Sequence, residues 1–151
     1  MSFSKSQSFL LDKITSIETI NIDGSDDGFE KFLKARGIPV SNEYWSIDHS
    51  IVNWNQVSPH FQFNFERVEE IDLSNWLLNS RITDFQFLYT WLNYVEPIIK
   101  IRTNDFVSYW QDLNIYSGWE GLVLTTESGE LFLEFTDDWK THLNSNFQIK
   151  P

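Results

Sequence analysis

The sequence predicts an α+β fold: a single compact domain over residues 1–151 in which an antiparallel sheet packs against short helices. Three observations carry this expectation. The residue balance holds one Ala, Ala35, against plentiful Ile, Phe, Thr and Asn, which favours strands mixed with short helices over an all-helical bundle. The stretch GLVLTTESGELFLEF, near residues 120–136, reads as a β-hairpin. Several short segments elsewhere carry apolar residues at helical spacing between recognisable start and stop signals. At 151 residues, with 41% hydrophobic and 17% aromatic content, the chain has ample apolar area to fold as one core.

Residues 1–8 are Ser-rich and expected to fray. Phe9, Leu10, Ile14 and Ile17 then recur at near-helical spacing, and Ile20 and Ile22 alternate, so residues 9–22 read as a short helix running into a strand. Phe29, Phe32 and Leu33 share a helical face, with Ser25 or Asp26 as N-cap, Lys34 and Arg36 in the last turn and Gly37 at the stop. Ile47, Ile51, Trp54 and Val57 suggest a further helix from near Asp48 to before Pro59. HFQFNFERV alternates strictly, placing Phe61, Phe63 and Phe65 on one side of a half-buried strand.

LSNWLLNSR predicts a short helix capped at Ser74. Phe85, Leu88, Trp91, Leu92 and Val95 predict another capped at Thr83. IIKIR reads as a short strand, and Phe106, Val107, Trp110 and Leu113 line one helical face. In the hairpin, a two-residue turn at Ser128 and Gly129 sets Thr125 opposite Phe132 and Leu124 opposite Leu133. That register gathers Leu122, Leu124, Leu131, Leu133 and Phe135 on one face, and Val123, Thr125, Phe132 and Glu134 on the other. TDDWKTHL reads as a terminal helical turn capped by Thr136.

Charge narrows the function classes. Eleven Lys and Arg against twenty-two Asp and Glu give a formal net charge of −11, which repels nucleic-acid backbones and anionic membranes and steers a basic protein partner. With no Cys there is no disulfide, thiolate metal site or cysteine nucleophile, and neither a cleavable leader nor a long apolar run is read at the start, so a cytoplasmic location is expected.

The stretch IDGSDDGFEKF imitates the front half of a calcium loop, with Asp23, Ser25, Asp27 and Gly28 at the expected spacing. Counting from Asp23, however, the twelfth position that should supply a bidentate Glu is Lys34. No metal and no cofactor are therefore expected. His49, His60 and His142 lack metal-ligand spacing, and no nucleophile elbow, phosphate loop or dinucleotide fingerprint occurs, which disfavours an enzyme and leaves no catalytic residue to nominate.

What remains is a contact surface. Asp26, Asp27 and Glu30, the trio Glu69, Glu70 and Asp72, and the pair Asp137 and Asp138 are candidates for one extended acidic surface. Trp54, Trp91 and Trp110 fall on apolar stripes and read as core. Tyr44, Trp45 and Trp119 sit near element ends and are candidate interface anchors, since Trp and Tyr dominate binding hot spots.

Ile38, Pro39, Ser41, Tyr44, Trp45, Ile47 and Trp54, in the segment IPVSNEYWSIDHSIVNW, carry a resemblance. The segment resembles a stretch of immunity proteins from bacterial contact-dependent growth-inhibition systems, in which an Ile/Leu-Pro-x-Ser run precedes a Tyr-Trp pair and a helix bearing another Trp. The likeness covers residues 38–54. It implies a cytoplasmic protein that binds and blocks the toxic domain of a cognate effector, often a nuclease. The leading expectation is thus a non-enzymatic immunity protein that neutralises a basic toxin. An acidic adaptor domain or a phage-borne nucleic-acid mimic is the alternative, and a small hydrolase comes third.

Overall fold

From residue 61 onward the chain is dominated by segments that either alternate apolar and polar residues or are apolar on both sides, and these assemble into one antiparallel sheet. The computed structural model of the chain describes residues 5–20, 28–41, 50–92, 97–117, 122–136 and 141–151. The strands are β1 (Glu18–Ile20), β2 (Phe61–Asn64), β3 (Phe87–Trp91), β4 (Ile98–Arg102), β5 (Leu122–Thr125), β6 (Phe132–Thr136) and β7 (His142–Ser145). They lie in the order β1-β4-β3-β5-β6-β7-β2, and every neighbouring pair is antiparallel. The helices are α1 (Lys5–Lys13), α2 (Gly28–Lys34), α3 (Glu70–Leu78) and α4 (Thr103–Tyr116). Among the described residues no helix is long and apolar enough to cross a membrane.

The predicted α+β architecture is therefore the observed one, with an apolar cluster on each face of the sheet. On one face, Leu10 and Ile14, Leu73 and Leu77 of α3, and Phe106, Trp110 and Leu113 of α4 pack on Leu88, Ile101, Leu124, Leu133 and Phe135. On the other, Phe29 and Leu33 of α2 join Ile38, Ile51, Val52 and Trp54 over Trp91, Ile98, Val123 and Phe132.

The hairpin register is the predicted one, with Leu124 opposite Leu133 and Thr125 opposite Phe132. The turn differs from expectation. Residues 127–130 form a four-residue loop, closed when the Thr126 amide donates to the Leu131 carbonyl at 3.0 Å. The Leu131 amide bonds the Thr126 hydroxyl at 3.2 Å, leaving the Thr126 carbonyl to accept from Gly129 at 3.1 Å. Both turns are centred between Ser128 and Gly129, so the pairing they impose is the same.

Five further expectations are corrected. Over residues 85–92 the expected helix is absent, because β3 runs through the middle of the sheet, and residues 93–95 lie outside the described residues. Leu88 faces one cluster and Trp91 the other, so the strand is apolar on both sides and imitates a helical stripe. The helix expected from Asp48 is absent over residues 50–57: Val52 bridges Val40, and only Trp54–Gln56 make a 3₁₀ turn. Helix α3 begins at Glu70, so Ser74 lies inside it and its hydroxyl accepts from the Trp110 indole at 2.9 Å. Thr136 ends β6 and His142–Ser145 is a strand, in place of a helical turn, while residues 137–140 lie outside the described residues. At the N-terminus, α1 starts at Lys5, inside the stretch expected to fray.

The stop of α2 follows the sequence signal. Gly37, at φ 76°, donates to the Lys34 carbonyl at 3.0 Å, and Ile38 donates to the Leu33 carbonyl at 3.1 Å, the paired bonds of a Schellman motif. Arg36 then ties this helix end to the hairpin. Its guanidinium lies 3.4 Å over the Phe32 ring, and its Nε donates to the Glu127 carbonyl at 2.7 Å. Gly129, at φ 80°, is the seat of that contact, since a Cβ there would stand 2.7 Å from both the Cβ and the carbonyl oxygen of Arg36. A Cβ on Gly37 would meet open space. Gly37→Ala should cost about 1 kcal/mol through backbone strain alone, whereas Gly129→Ala should cost about 3 kcal/mol by adding a clash. Urea denaturation measures both, and equal losses would contradict the close approach of helix end and loop.

Candidate functional site

Of the sequence-nominated residues, Glu30, Glu69, Glu70 and Asp72 are among the described residues, and Glu30 does not share a surface with the other three. Asp26, Asp27, Tyr44, Trp45, Trp119, Asp137 and Asp138 lie outside the described residues, as does the Asp23–Asp27 part of the calcium-like loop. Glu30 is half-buried in the first turn of α2, on the face covered by that helix. Glu69, Glu70 and Asp72 are exposed on the opposite face, at the head of α3. Glu30 and the trio are thus separated by the sheet. The trio also has a structural role: Glu69 stands at the N-cap position with Glu70 and Asp72 in the first turn, where carboxylates meet the positive end of the helix dipole. Trp54, Trp91 and Trp110 are core residues, as their stripes suggest.

One acid stands apart from all of these. Glu134 lies mid-strand in β6, and the alternation that turns Leu133 and Phe135 into one cluster turns its carboxylate into the other, where it is fully buried. Four donors surround it. The Ile51 amide donates to Oε2 at 2.7 Å. The Trp54 indole N–H donates to Oε1 at 2.8 Å and the Val52 amide to the same oxygen at 3.3 Å. The Ser50 hydroxyl is 2.9 Å from Oε1 and 2.7 Å from the Val52 carbonyl oxygen, so its single proton can serve either acceptor. This donor set explains why residues 50–54 do not continue a helix: their N–H groups turn toward a side chain of the sheet.

A polar stripe continues from this carboxylate across the sheet. Asn144 of β7 lies opposite Glu134, and Gln62 of β2 opposite Asn144. Asn144 Oδ1 accepts from His60 Nε2 at 2.7 Å, and its amide nitrogen donates to Thr136 Oγ1 at 2.7 Å. The His60 ring stacks on Trp54, centroids 4.9 Å apart and planes 18° from parallel. Trp54 therefore links a buried acid to an exposed imidazole. Among the described residues no cation pairs with Glu134. Among the same residues, no three His, Asp or Glu side chains cluster to hold a metal.

Burial pushes the Glu134 carboxyl up from 4.5 to about 7, against the opposing pull of the bonds from Ile51, Trp54, Ser50 and Val52. Near neutral pH the group stands close to its midpoint. When it is protonated, its O–H can donate to Ser50 Oγ and release the serine proton to the Val52 carbonyl. The four donors make it an anchor for a loop, with a charge that depends on pH.

The second notable feature is the helical layer on the opposite face. Helix α4 packs against both α1 and α3. Lys13 bridges Asp112 at 3.1 Å, and the Gln111 amide, turned toward Glu70, donates to its two carboxylate oxygens at 2.9 and 2.6 Å. Ile71, Leu78 and Ile115 are 65%, 50% and 64% exposed on this layer. Sequence periodicity does not find them, because it marks the residues that face inward.

The raised Glu134 pKa sets a pH dependence. Below pH 4.5 the folded and unfolded chains are both protonated at this group; as pH rises to about 7 the unfolded chain alone gives up its proton, and native stability falls. The full loss, roughly 3 kcal/mol, is reached above the folded-state value. Denaturant midpoints between about pH 5 and about pH 8 should decline for the parent chain and stay nearly level in Glu134→Gln, which loses stability throughout because an amide cannot accept from all four donors. Parallel profiles for the two proteins would contradict the assignment.

Comparison of the chain with protein-family models, curated proteins and solved structures gives no match, so the chemistry of its own surfaces is what a functional reading rests on.

Proposed function

We propose that this protein is a non-enzymatic inhibitor of the immunity type, which binds a basic toxin domain and covers its active site. The observation that carries this reading is the exposed acidity at the head of α3. Glu69, Glu70 and Asp72 are exposed in a chain of net charge −11, and no ion pair reaches them among the described residues. Such charge accelerates encounter with a cationic surface and disfavours anionic ligands. The resemblance over residues 38–54 supports the same reading. Within it, Trp54 serves the buried anchor at Glu134 and is no surface contact.

Co-expression with the product of the adjacent gene tests the proposal, with co-purification and rescue of growth as the two expected readouts. Failure of both would refute it. With the purified pair, the association rate should fall at least tenfold between about 50 and about 500 mM salt. Replacing Glu69, Glu70 and Asp72 with Lys should slow association more than the same change at the exposed acids Glu18, Asp84 and Glu127. Equal effects would remove the head of α3 from the docking surface.

A further inference from the structure

We infer that the outer face of the α3–α4 pair is the docking surface, and that its occupant is a cationic protein segment carrying aliphatic side chains among its Lys or Arg residues. This rests on the proposed binding of a basic partner and names the face and the chemistry that receive it.

The first support is the placement of apolar residues left outside the core. In α3, Leu73 and Leu77 are fully buried, whereas Ile71 and Leu78, two turns apart and so on one side of the helix, are 65% and 50% exposed. In α4, Phe106, Trp110 and Leu113 are buried, while Ile115 in the last turn is 64% exposed. The helices run antiparallel. Gln111 meets Glu70 and Trp110 meets Ser74, while Thr103, at the start of α4, bonds the Phe85 carbonyl beyond the end of α3. Ile115 thus lies toward the end of the pair where Ile71 and the acids stand. Exposed aliphatic side chains beside exposed carboxylates provide anchors and a polar rim within one surface.

The second support is charge. Helices α3 and α4 contain Glu70, Asp72, Asp105 and Asp112 but no Lys or Arg, and Glu69 precedes the first of them. Neither helix has a basic residue in its last turn, although a cation there would stabilise it against its own dipole. Helix stability therefore does not account for this absence, whereas clearance for a cationic partner does. The described cations near the pair lie at its margins: Arg67 in the turn before α3, Arg81 three residues past its end and 3.8 Å from Glu130, Arg102 at the head of α4, and Lys13 held by Asp112. A second copy of this chain would bring acid against acid, so self-association through this face is disfavoured.

The test maps amide shifts in the full chain on titration with a synthetic amphipathic helix of Lys and Leu, alongside a control peptide with Glu in place of Lys. The Lys peptide should shift residues 69–79 and 104–116, and the Glu peptide should shift neither. Ile71→Ser with Leu78→Ser and Ile115→Ser should weaken peptide binding roughly 30-fold or more. The Glu69→Gln, Glu70→Gln, Asp72→Asn variant gives an independent reading by weakening binding while leaving those aliphatic anchors in place. Shifts spread evenly over the acidic surface, or centred on β2 or α2, would overturn the inference. So would dimerisation lost in the serine variant. The two proposals separate on the co-expressed effector: a bound effector with its footprint elsewhere defeats this surface and leaves the function standing. A peptide footprint here without any effector binding does the reverse.

Discussion

A carboxylate with no cation beside it among the described residues, buried in the middle of a strand, is the constraint around which one face of this protein is arranged. Glu134 cannot be left unsatisfied in an apolar cluster, because burial without partners costs far more than any packing there returns. The chain meets that demand with the backbone of Ile51 and Val52, the hydroxyl of Ser50 and the indole of Trp54. These residues consequently wrap over the sheet instead of forming the helix that their apolar spacing suggests. The Val40–Val52 bridge and the burial of Ile38 and Ile51 belong to the same arrangement.

The remaining parts of that face are tied in through contacts of similar economy. Arg36 joins the end of α2 to the hairpin loop, and the loop accommodates it because Gly129 has no Cβ. Trp54 extends the carboxylate network to His60 and, through Asn144, to the edge strand β2. The opposite face depends on a different principle. Helices α1, α3 and α4 bury an apolar stripe on the sheet, and their outer surface is free to carry acids and exposed aliphatic residues. The anchored carboxylate and the exposed acids of α3 thus stand on different sides of one sheet. This separation lets a strongly acidic surface coexist with a core that contains a buried acid.

The legible parts of the fold are those set by local alternation or local symmetry. The hairpin register could be read because any turn centred between Ser128 and Gly129 gives the same pairing, even though the loop closes through the Thr126 hydroxyl. The Gly37 stop and the α4 stripe were equally local. β3 was not legible as a strand, since a strand buried on both faces loses its period of two. The start of α3 was hidden because Ser74 is a better sequence cap than Glu69, whose side chain makes no capping bond. Glu134 was visible only as an acid on a mixed face; the Ile51 amide that binds it lies 83 residues away. The acids of the candidate surface could be seen, but not the separation of Glu30 from Glu69, Glu70 and Asp72 by the sheet, or the aliphatic residues beside that trio.

If a partner docks on the helical layer, the loop face remains a stable support whose anchoring carboxyl changes charge close to neutral pH. That anchor is the central physical claim, and a ¹³C titration of the Glu134 carboxyl tests it most directly, followed together with the Ile51 amide and the Trp54 indole N–H. The account predicts one midpoint near 7 shared by all three signals. A midpoint near 4.5, or an Ile51 amide and Trp54 indole indifferent to the titration, would contradict it.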